Sequence, residues 1–331
     1  MGLFGTRTVD VLTMGRIGVD IYPHQHGVGL EDVTSFGKFL GGSATNVAVA
    51  AARLRRSAAV VTAVGDDPFG RFCRAEMGRL GVFDDYVKVD GDLNTPVTFC
   101  EIFPPDNFPL YFYRRPTAPD LRLRTEDLPF DAIVQARVFW ITTTGLSREP
   151  SRATHLAALK ARGRRPFTIL DLDYRAQFWS SPEAARDAIA EVLPYVDIVV
   201  GNAAECQVAV GESDPERAAE ALLERGVDVA VVKRGEDGVL AMDAERVIEV
   251  EGTPVEVVNG LGAGDAFGGA LCFGLIKEWP LVDTLVAASA AGALVATRLE
   301  CSTAMPSEPE LLAAVRRNPV ATKTRHRVKE N

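Results

Sequence analysis

The sequence predicts an α/β fold: a doubly wound, mostly parallel sheet sandwiched by helices, with a small β-sheet lid. Short apolar runs of strand length alternate with helical stretches along most of the 331 residues. Several of these runs, such as VVTAV and VAVV, are continuously apolar, which is typical of strands buried on both faces of a parallel sheet. Two other segments interrupt this order with alternating aromatic residues and no crossover helix, which indicates a separate antiparallel sheet.

The strands and helices of the main domain follow one another in chain order. Strands are predicted at residues 9–14, 59–64, 138–143, 167–172, 198–200 and 229–232. Helices are predicted at residues 43–54, 69–80, 152–161, 184–193 and 218–225. Ser43 is a suitable N-cap for the first helix, and Gly81 is expected to close the second. The alternation of strand and helix predicts the doubly wound arrangement.

The lid is predicted from residues 33–40 and 95–116, where TPVTFCEIF and PLYFYRR have the aromatic, alternating character of strands. Such a sheet would cover a site at the carboxyl ends of the parallel strands, where open α/β sheets place their ligands. Lid strands could stay within one chain or pair between two chains, so a homodimer through the lid is left open. We expect one domain over residues 1–315.

Residues 316–331 are expected to form a basic C-terminal tail. One interpretation is a tail that binds an anion or a partner. The interpretation we favour is a solvated and partly disordered end, as is common at chain termini.

Composition excludes several classes of function. The net charge is −9, which disfavours a surface for duplex nucleic acid. Five scattered cysteines with no CxxC pair argue against a disulfide framework or a zinc site. No apolar stretch of about 18 residues exists and the first residues lack a signal-peptide core, so we expect a cytoplasmic protein without a membrane span.

The segment VVNGLGAGDAFGGA at residues 257–270 is the candidate catalytic segment. It predicts a short strand, a glycine bend and a small-residue helix that runs to about residue 276. Backbone N–H groups converging at such a bend and the positive end of the helix would form an anion hole for a phosphoryl group. Asp265 would lie in the first turn of this helix, where it can deprotonate an attacking hydroxyl. An ordinary glycine-rich turn is the alternative.

Two other phosphate-binding motifs are missing from the sequence. No GxxxxGK[ST] occurs, which excludes a P-loop enzyme. No GxGxxG follows the first strand, and the glycines at 262 and 264 are followed by Phe267, which disfavours dinucleotide binding.

With these motifs the chain resembles the ribokinase-like (PfkB) carbohydrate kinase family over roughly residues 9–310. GGSATN at residues 41–46 resembles the N-terminal signature of the family, and residues 260–265 resemble its GAGD signature. One departure is NGL at residues 259–261, where relatives usually carry D-T-x. The resemblance implies ATP and Mg²⁺ as cofactors, while a monovalent-cation requirement is left open.

The resemblance also implies a role for particular residues. The anion hole and base would be Gly262, Ala263, Gly264 and Asp265, and the substrate contacts would be Asp20, Gly41, Gly42 and Asn46. Asp20 could instead be a turn residue, and Asn46 a residue of the helix face. Asn202 and Glu205 form an NxxE motif that would hold magnesium through water, with a capping box as the alternative. The nucleotide side would comprise Lys233, Gly235, Gly238 and Ala291.

Two arginines indicate an acidic substrate. DLDYR at residues 171–175 resembles the DxNxR stretch of family members that phosphorylate keto-deoxy sugar acids, and LYFYR at residues 110–114 resembles their lid. Arg175 and Arg114 would bind a carboxylate, because a guanidinium bonds both of its oxygens. Arg114 could instead face solvent.

Longer stretches of the sequence resemble the branch of the family that acts in myo-inositol catabolism. This implies phosphorylation of the 6-hydroxyl of 5-dehydro-2-deoxy-D-gluconate. Phosphorylation of 2-keto-3-deoxygluconate, a non-catalytic sugar-acid-binding regulator and a Rossmann-type oxidoreductase remain alternatives.

Overall fold

The computed structural model describes residues 8–327. Its strands are β1 Val11–Met14, β2 Gly18–Pro23, β3 Phe36–Gly41, β4 Ala58–Gly65, β5 Val82–Phe83, β6 Val87–Asp90, β7 Val97–Cys100, β8 Leu110–Tyr113, β9 Val138–Thr142, β10 Thr168–Asp171, β11 Ile198–Asn202, β12 Val229–Lys233, β13 Val239–Met242, β14 Arg246–Val250 and β15 Thr322–His326. Its helices are α1 Ser43–Arg53, α2 Pro68–Arg79, α3 Phe130–Gln135, α4 Ser151–Arg162, α5 Pro182–Val192, α6 Ala203–Val210, α7 Pro215–Glu224, α8 Ala263–Ile276, α9 Leu281–Ala296 and α10 Glu308–Arg317.

One large sheet forms the centre of the molecule. Its strand order is β15-β14-β13-β12-β11-β10-β9-β1-β4-β5, with β6 paired to β4. The strands from β12 to β5 pair in parallel, whereas β13, β14 and β15 extend the sheet as antiparallel strands. The predicted α/β class and its mostly parallel sheet are therefore confirmed.

Helices cover both faces of this sheet. Successive residues of β1 point to opposite faces, so that Val11 packs into a core with α1, α8 and α9, while Leu12 packs into a second core with α4 to α7. This is why the central strands are apolar at most positions: neither face meets water.

The lid is a four-stranded sheet of order β3-β2-β7-β8. The sequence predicted three of its strands and missed β2, which pairs antiparallel with β3 and parallel with β7. Asp20 therefore lies in a lid strand and not in a turn. These four strands pair within one chain, and pairing of lids between chains remains a prediction.

The C-terminal segment differs from the expected disordered tail. The boundary expected at residue 315 falls inside α10, and β15 pairs with β14 at the edge of the large sheet. The sequence of β15, TKTRH, has no apolar residue, because an edge strand that is mostly exposed is held by backbone hydrogen bonds and not by buried side chains. Residues 328–331 of the expected tail lie outside the described range. Across residues 8–327, no helix combines the length and apolarity needed to cross a bilayer.

Candidate active site

Charged and polar side chains gather at the carboxyl ends of four strands of the large sheet. Arg16 follows β1, Asp171 ends β10, Asn202 ends β11 and Lys233 ends β12. Carboxyl ends of parallel strands meet at the same edge, which is where open α/β sheets bind their ligands. The site therefore lies where the topology predicts it.

Helix α8 presents its N-terminus to this edge. Gly262 is the N-cap, with φ +82° in the left-handed region, and no side chain caps the helix. The first N–H groups of a helix have no intrahelical acceptor, and the Ala263 N–H makes only a long contact of 3.4 Å with the Gly260 carbonyl. These N–H groups can bind an anion. The short strand expected just before the bend does not form.

A lysine lies directly beside this helix end. A Cβ atom added to Gly264 would come within 3.2 Å of Lys233 Nζ, so the absence of a side chain there leaves room between the ammonium group and the helix. Burial lowers the pKa of Lys233, but Asp171 and Glu205 outweigh it and the net shift is upward. The lysine is therefore held in its charged form next to the predicted anion hole.

Asp265 lies in the first turn of α8 and is joined to α1. Asn46 Nδ2 donates a hydrogen bond of 2.8 Å to Asp265 Oδ2. Burial and the nearby Asp173 carboxylate raise the pKa of Asp265 to about 7, against the lowering effect of the Asn46 bond. A carboxyl group that titrates near neutrality is well matched to general-base work. Asn46 thus contacts the predicted base.

Asp173 binds three neighbours. Its carboxylate pairs with Arg175 at 2.9 Å and with Arg16 at 3.5 Å, and it accepts a hydrogen bond from Ser43 Oγ. Burial alone would raise the pKa of Asp173, but the two guanidinium groups and Ser43 hold it below its usual value. Ser43 is the first residue of α1 and Gly42 is its N-cap, so Ser43 does not take the capping role that its position predicted.

Asp20 faces the site from lid strand β2. A Cβ atom on Gly41 of β3 would lie 2.2 Å from Asp20 Cγ, so only glycine fits opposite this carboxyl group. Gly42, with φ +102°, packs its Cα against the Arg16 carbonyl and likewise leaves no space for a side chain. Burial raises the pKa of Asp20 to about 6, while Arg16 and the Tyr22 hydroxyl act in the opposite direction. Gly41 is therefore needed for close packing against Asp20, and Gly42 for close packing against the backbone between β1 and β2.

The NxxE residues form a capping box at the start of α6. Asn202 Oδ1 accepts a hydrogen bond from the Glu205 N–H, and Glu205 Oε2 accepts one from the Asn202 N–H. Within residues 8–327, no group of three or more His, Cys, Asp or Glu side chains has the geometry to hold a metal ion.

The loop after β12 is built around two left-handed glycines. Gly235 has φ +63° and open space around it, and Gly238 has φ +88° with the Val250 carbonyl 2.1 Å from where its Cβ would be. Gly238 is therefore fixed by packing, and Gly235 borders solvent.

Two residues that the sequence predicted for the site are held away from a ligand by other packing. Arg114 pairs with Asp120 at 2.8 Å, both side chains being buried, and its guanidinium stacks over the Phe178 ring. Ala291 is fully buried in α9 and presents no surface to a ligand.

Sequence reasoning missed Arg16, the central role of Asp173, and Tyr22. The position of Arg16 directly after the first buried strand was a usable signal, because parallel strands end at the site. Tyr22 gave no such signal, since its partner Cys301 is 279 residues away along the chain.

Comparison with known proteins identifies the family. The pattern of the pfkB family of carbohydrate kinases matches residues 9–308. The 5-dehydro-2-deoxygluconokinase of Photobacterium profundum is 33% identical over 314 residues, covering 92% of this chain and 94% of that protein. The protein of the same name from Clostridium tetani is 30% identical and covers 92% of each chain.

The fold agrees with this result. The crystal structure of a putative ribokinase II from E. coli, in complex with ATP and Mg²⁺, matches with a TM-score of 0.85 and 25% identity, covering 93% of this chain and 99% of that chain. The family match spans the lid, every strand of the large sheet except β15, and the whole cluster around Asp265. The chain therefore belongs to the pfkB family of carbohydrate kinases.

Proposed function

We propose that this kinase transfers the γ-phosphoryl group of ATP to a hydroxyl of a sugar acid, with Asp265 as general base. The acceptor we favour is the 6-hydroxyl of 5-dehydro-2-deoxy-D-gluconate, since the two relatives above are named as kinases of that compound. The observation that carries the proposal is the position of Asp265, with its pKa near 7, in the first turn of an uncapped helix.

The residues present fit a bound triphosphate. MgATP supplies the phosphoryl group, and the N–H groups of Gly262, Ala263 and Gly264 would stabilise the charge that develops on it. Lys233 lies beside them as a fixed cation. Little covalent chemistry is required of the protein in phosphoryl transfer, so a base, N–H donors and a cation are an adequate set.

Asn202 ends β11, and Gly235 and Gly238 lie in the loop between β12 and β13; all three would border the nucleotide. The capping box occupies Oε2 of Glu205, and Oε1 has no bond to another described residue. That oxygen, with Asn202, is our proposed outer contact to the magnesium shell, through water. A role for Ala291 in the adenine site is not retained, because the residue is fully buried.

On the acceptor side, Asn46 contacts Asp265, and Asp20, Gly41 and Gly42 would line the adjoining space for the sugar. Asp20 would bind sugar hydroxyls, and the two glycines would allow the substrate to approach the backbone. Arg175 would bind the substrate carboxylate. Arg114 could do the same only after its buried ion pair with Asp120 opens, so we assign the larger role to Arg175.

A substrate panel tests the function. The protein is incubated with ATP, Mg²⁺ and, in turn, 5-dehydro-2-deoxy-D-gluconate, 2-keto-3-deoxygluconate, ribose and fructose, and ADP release is followed. We expect release to be greatest with the first compound. Faster release with 2-keto-3-deoxygluconate would favour that alternative substrate, and binding without release would indicate a regulator.

The base assignment predicts the effect of Asp265→Asn. The amide keeps the shape and can still accept the Asn46 bond, but it cannot take a proton, so turnover should fall at least about a hundredfold. ATP binding, measured by calorimetry, should persist. Asp283→Asn is the matched control, since Asp283 is an exposed aspartate in the first turn of the neighbouring helix α9. Near-normal turnover of Asp265→Asn would refute the assignment.

A further inference from the structure

Tyr22 lies in lid strand β2, where the lid contacts the main domain. Its side chain is 1% exposed and packs in a small apolar cluster with Cys100, Ile102 and Cys301, separate from the two large cores. Two leucines pack against the same cluster: Leu261 lies just before Gly262 in the glycine bend, and Leu299 follows the end of α9. The cluster therefore joins the lid to the loop that begins α8.

The Tyr22 hydroxyl makes two hydrogen bonds inside this apolar cluster. It donates to Asp20 Oδ2 at 2.9 Å, and it lies 2.8 Å from Cys301 Sγ. A phenol has one proton to donate, and the carboxylate of Asp20 is the stronger acceptor, so the Cys301 thiol donates to the phenol oxygen. Burial raises the pKa of both Tyr22 and Cys301, so both remain protonated.

Cys301 in turn contacts the residue that opens the anion hole. A Cβ atom on Gly262 would lie 2.7 Å from Cys301 Sγ, which shows that the sulfur packs directly against the glycine. An unbroken series of contacts thus runs from Asp20 in the lid through Tyr22 and Cys301 to Gly262 at the start of α8. All three side chains in the series are at most 9% exposed.

We propose that Tyr22 is a positioning residue, which fixes the Asp20 carboxylate for sugar binding and connects it through Cys301 to the glycine that begins α8. This inference rests on the sugar-binding role proposed above for Asp20. A rigid, buried donor holds the carboxylate in one orientation, so the cost of ordering it is met before the sugar binds.

The ionisation of Asp20 gives a direct measure of this contact. The groups that shift the pKa of Asp20 are the Arg16 guanidinium, which follows β1, and the Tyr22 hydroxyl. Burial and the Asp20 carboxylate in turn raise the pKa of three neighbouring thiols, which stay neutral: Cys73 of α2, Cys100 of β7 and Cys301. Arg16 and Tyr22 both favour the ionised carboxylate. Removing only the Tyr22 hydroxyl should raise the pKa of Asp20 above its value near 6 and leave the other groups in place.

The experiment compares the wild type with Tyr22→Phe, which keeps the ring and removes one oxygen. Carboxyl ¹³C NMR of aspartate-labelled protein, with the Asp20 signal assigned by its loss in Asp20→Asn, should show the pKa rising by roughly half a unit or more. The KM for the sugar substrate should rise about tenfold, while that for ATP changes little. The pH below which the KM for the sugar rises, which reports the protonation of Asp20, should move to higher pH.

Three further variants separate positioning from packing. Tyr113→Phe, in an exposed lid tyrosine of β8, should leave all these values unchanged. Cys301→Ser keeps a donor and should resemble the wild type, whereas Cys301→Ala should raise the sugar KM by less than Tyr22→Phe does.

An unchanged Asp20 pKa in Tyr22→Phe would overturn the inference, as would equal losses for sugar and ATP. The NMR measurement needs no turnover. If the wild type phosphorylates no sugar acid, the proposed function fails, but the Asp20 titration still decides whether Tyr22 positions this carboxylate.

Discussion

At the scale of single residues, Asp173 brings two guanidinium groups together. It pairs with Arg175 and Arg16, and the Nε atom of each arginine is buried with no partner among residues 8–327. A buried donor without a partner is costly, so a ligand that accepts from it gains affinity. The Arg175 side chain as a whole is 33% exposed, so its guanidinium group can bind a substrate carboxylate in addition to the carboxylate of Asp173.

Arg175 should therefore determine the preference for acidic substrates. We expect Arg175→Ala to raise the KM for the sugar acid more than about tenfold, because a charge-assisted bond is lost, and to change kinetics with a neutral sugar much less. Arg175→Lys should recover only part of the preference, since a lysine lacks the planar fork. Steady-state kinetics on both substrates measure this.

Arg152→Ala is the control for Arg175, because Arg152 forms a surface ion pair with Glu191 in α5. Equal losses for acidic and neutral sugars in Arg175→Ala would contradict the carboxylate assignment.

The pH dependence of the reaction should follow Asp265. The base works in its ionised form, so kcat/KM should fall as the pH drops below about 7, the pKa to which burial raises this group. The Asn46 amide stabilises the ionised form, so its removal in Asn46→Ala should raise that pKa further and move the limb to higher pH. Rate profiles from about pH 5 to about pH 9 would show this. A change in KM with no movement of the limb would indicate that Asn46 serves substrate binding alone.

At the scale of elements, helix α8 and the segment before it differ in how well sequence predicts them. The helix follows from its small and apolar residues, and its end at Ile276 is confirmed. The strand expected at residues 257–258 was wrong, because the N–H groups of Val258 and Asn259 bond to the Ala296 carbonyl and not to a neighbouring strand. A run of residues with high β-propensity forms a strand only where another strand lies beside it to share backbone hydrogen bonds.

The glycine at the start of α8 should be irreplaceable. Gly262→Ala forces a left-handed alanine and a contact with Cys301, so both stability and turnover should fall. Gly211→Ala is the matched control, because Gly211 has a similar φ of +86° and open space around it. Each variant should lose about 1 kcal/mol or more of unfolding free energy, and only Gly262→Ala should lose activity. Turnover of Gly262→Ala equal to that of Gly211→Ala would contradict an anion hole at this helix end.

At the scale of the whole molecule, sequence predicted the parallel core better than its edges. Strands such as β4 and β12 were placed to within about two residues because both faces are buried and nearly every position is apolar. The antiparallel strands β13 to β15 and lid strand β2 were missed. Each is defined by its pairing with another strand, which the local residue pattern does not reveal. In the site, motif residues such as Asp265 and Asn46 could be named in advance, whereas contacts like that of Tyr22 with Cys301 could not.

The C-terminal strand should contribute to stability. Ending the chain after Asn318 removes β15 and exposes the edge of β14, whose Val247, Ile248 and Val250 are buried. We expect the melting temperature to fall by a few degrees and the tendency to aggregate to rise, as measured by calorimetry and size-exclusion chromatography. A chain ending after Arg327 keeps β15 and is the control. Equal melting temperatures for the two would show that β15 adds nothing.

The order of the site along the chain has a consequence for biosynthesis. Arg16 leaves the ribosome 249 residues before Asp265 of helix α8, which completes the cluster. A nascent chain that ends before Ala263 carries the charged side chains at the strand ends but lacks helix α8, which completes the cluster. Catalytic competence should therefore arise late and abruptly during translation, and truncated products should be inert.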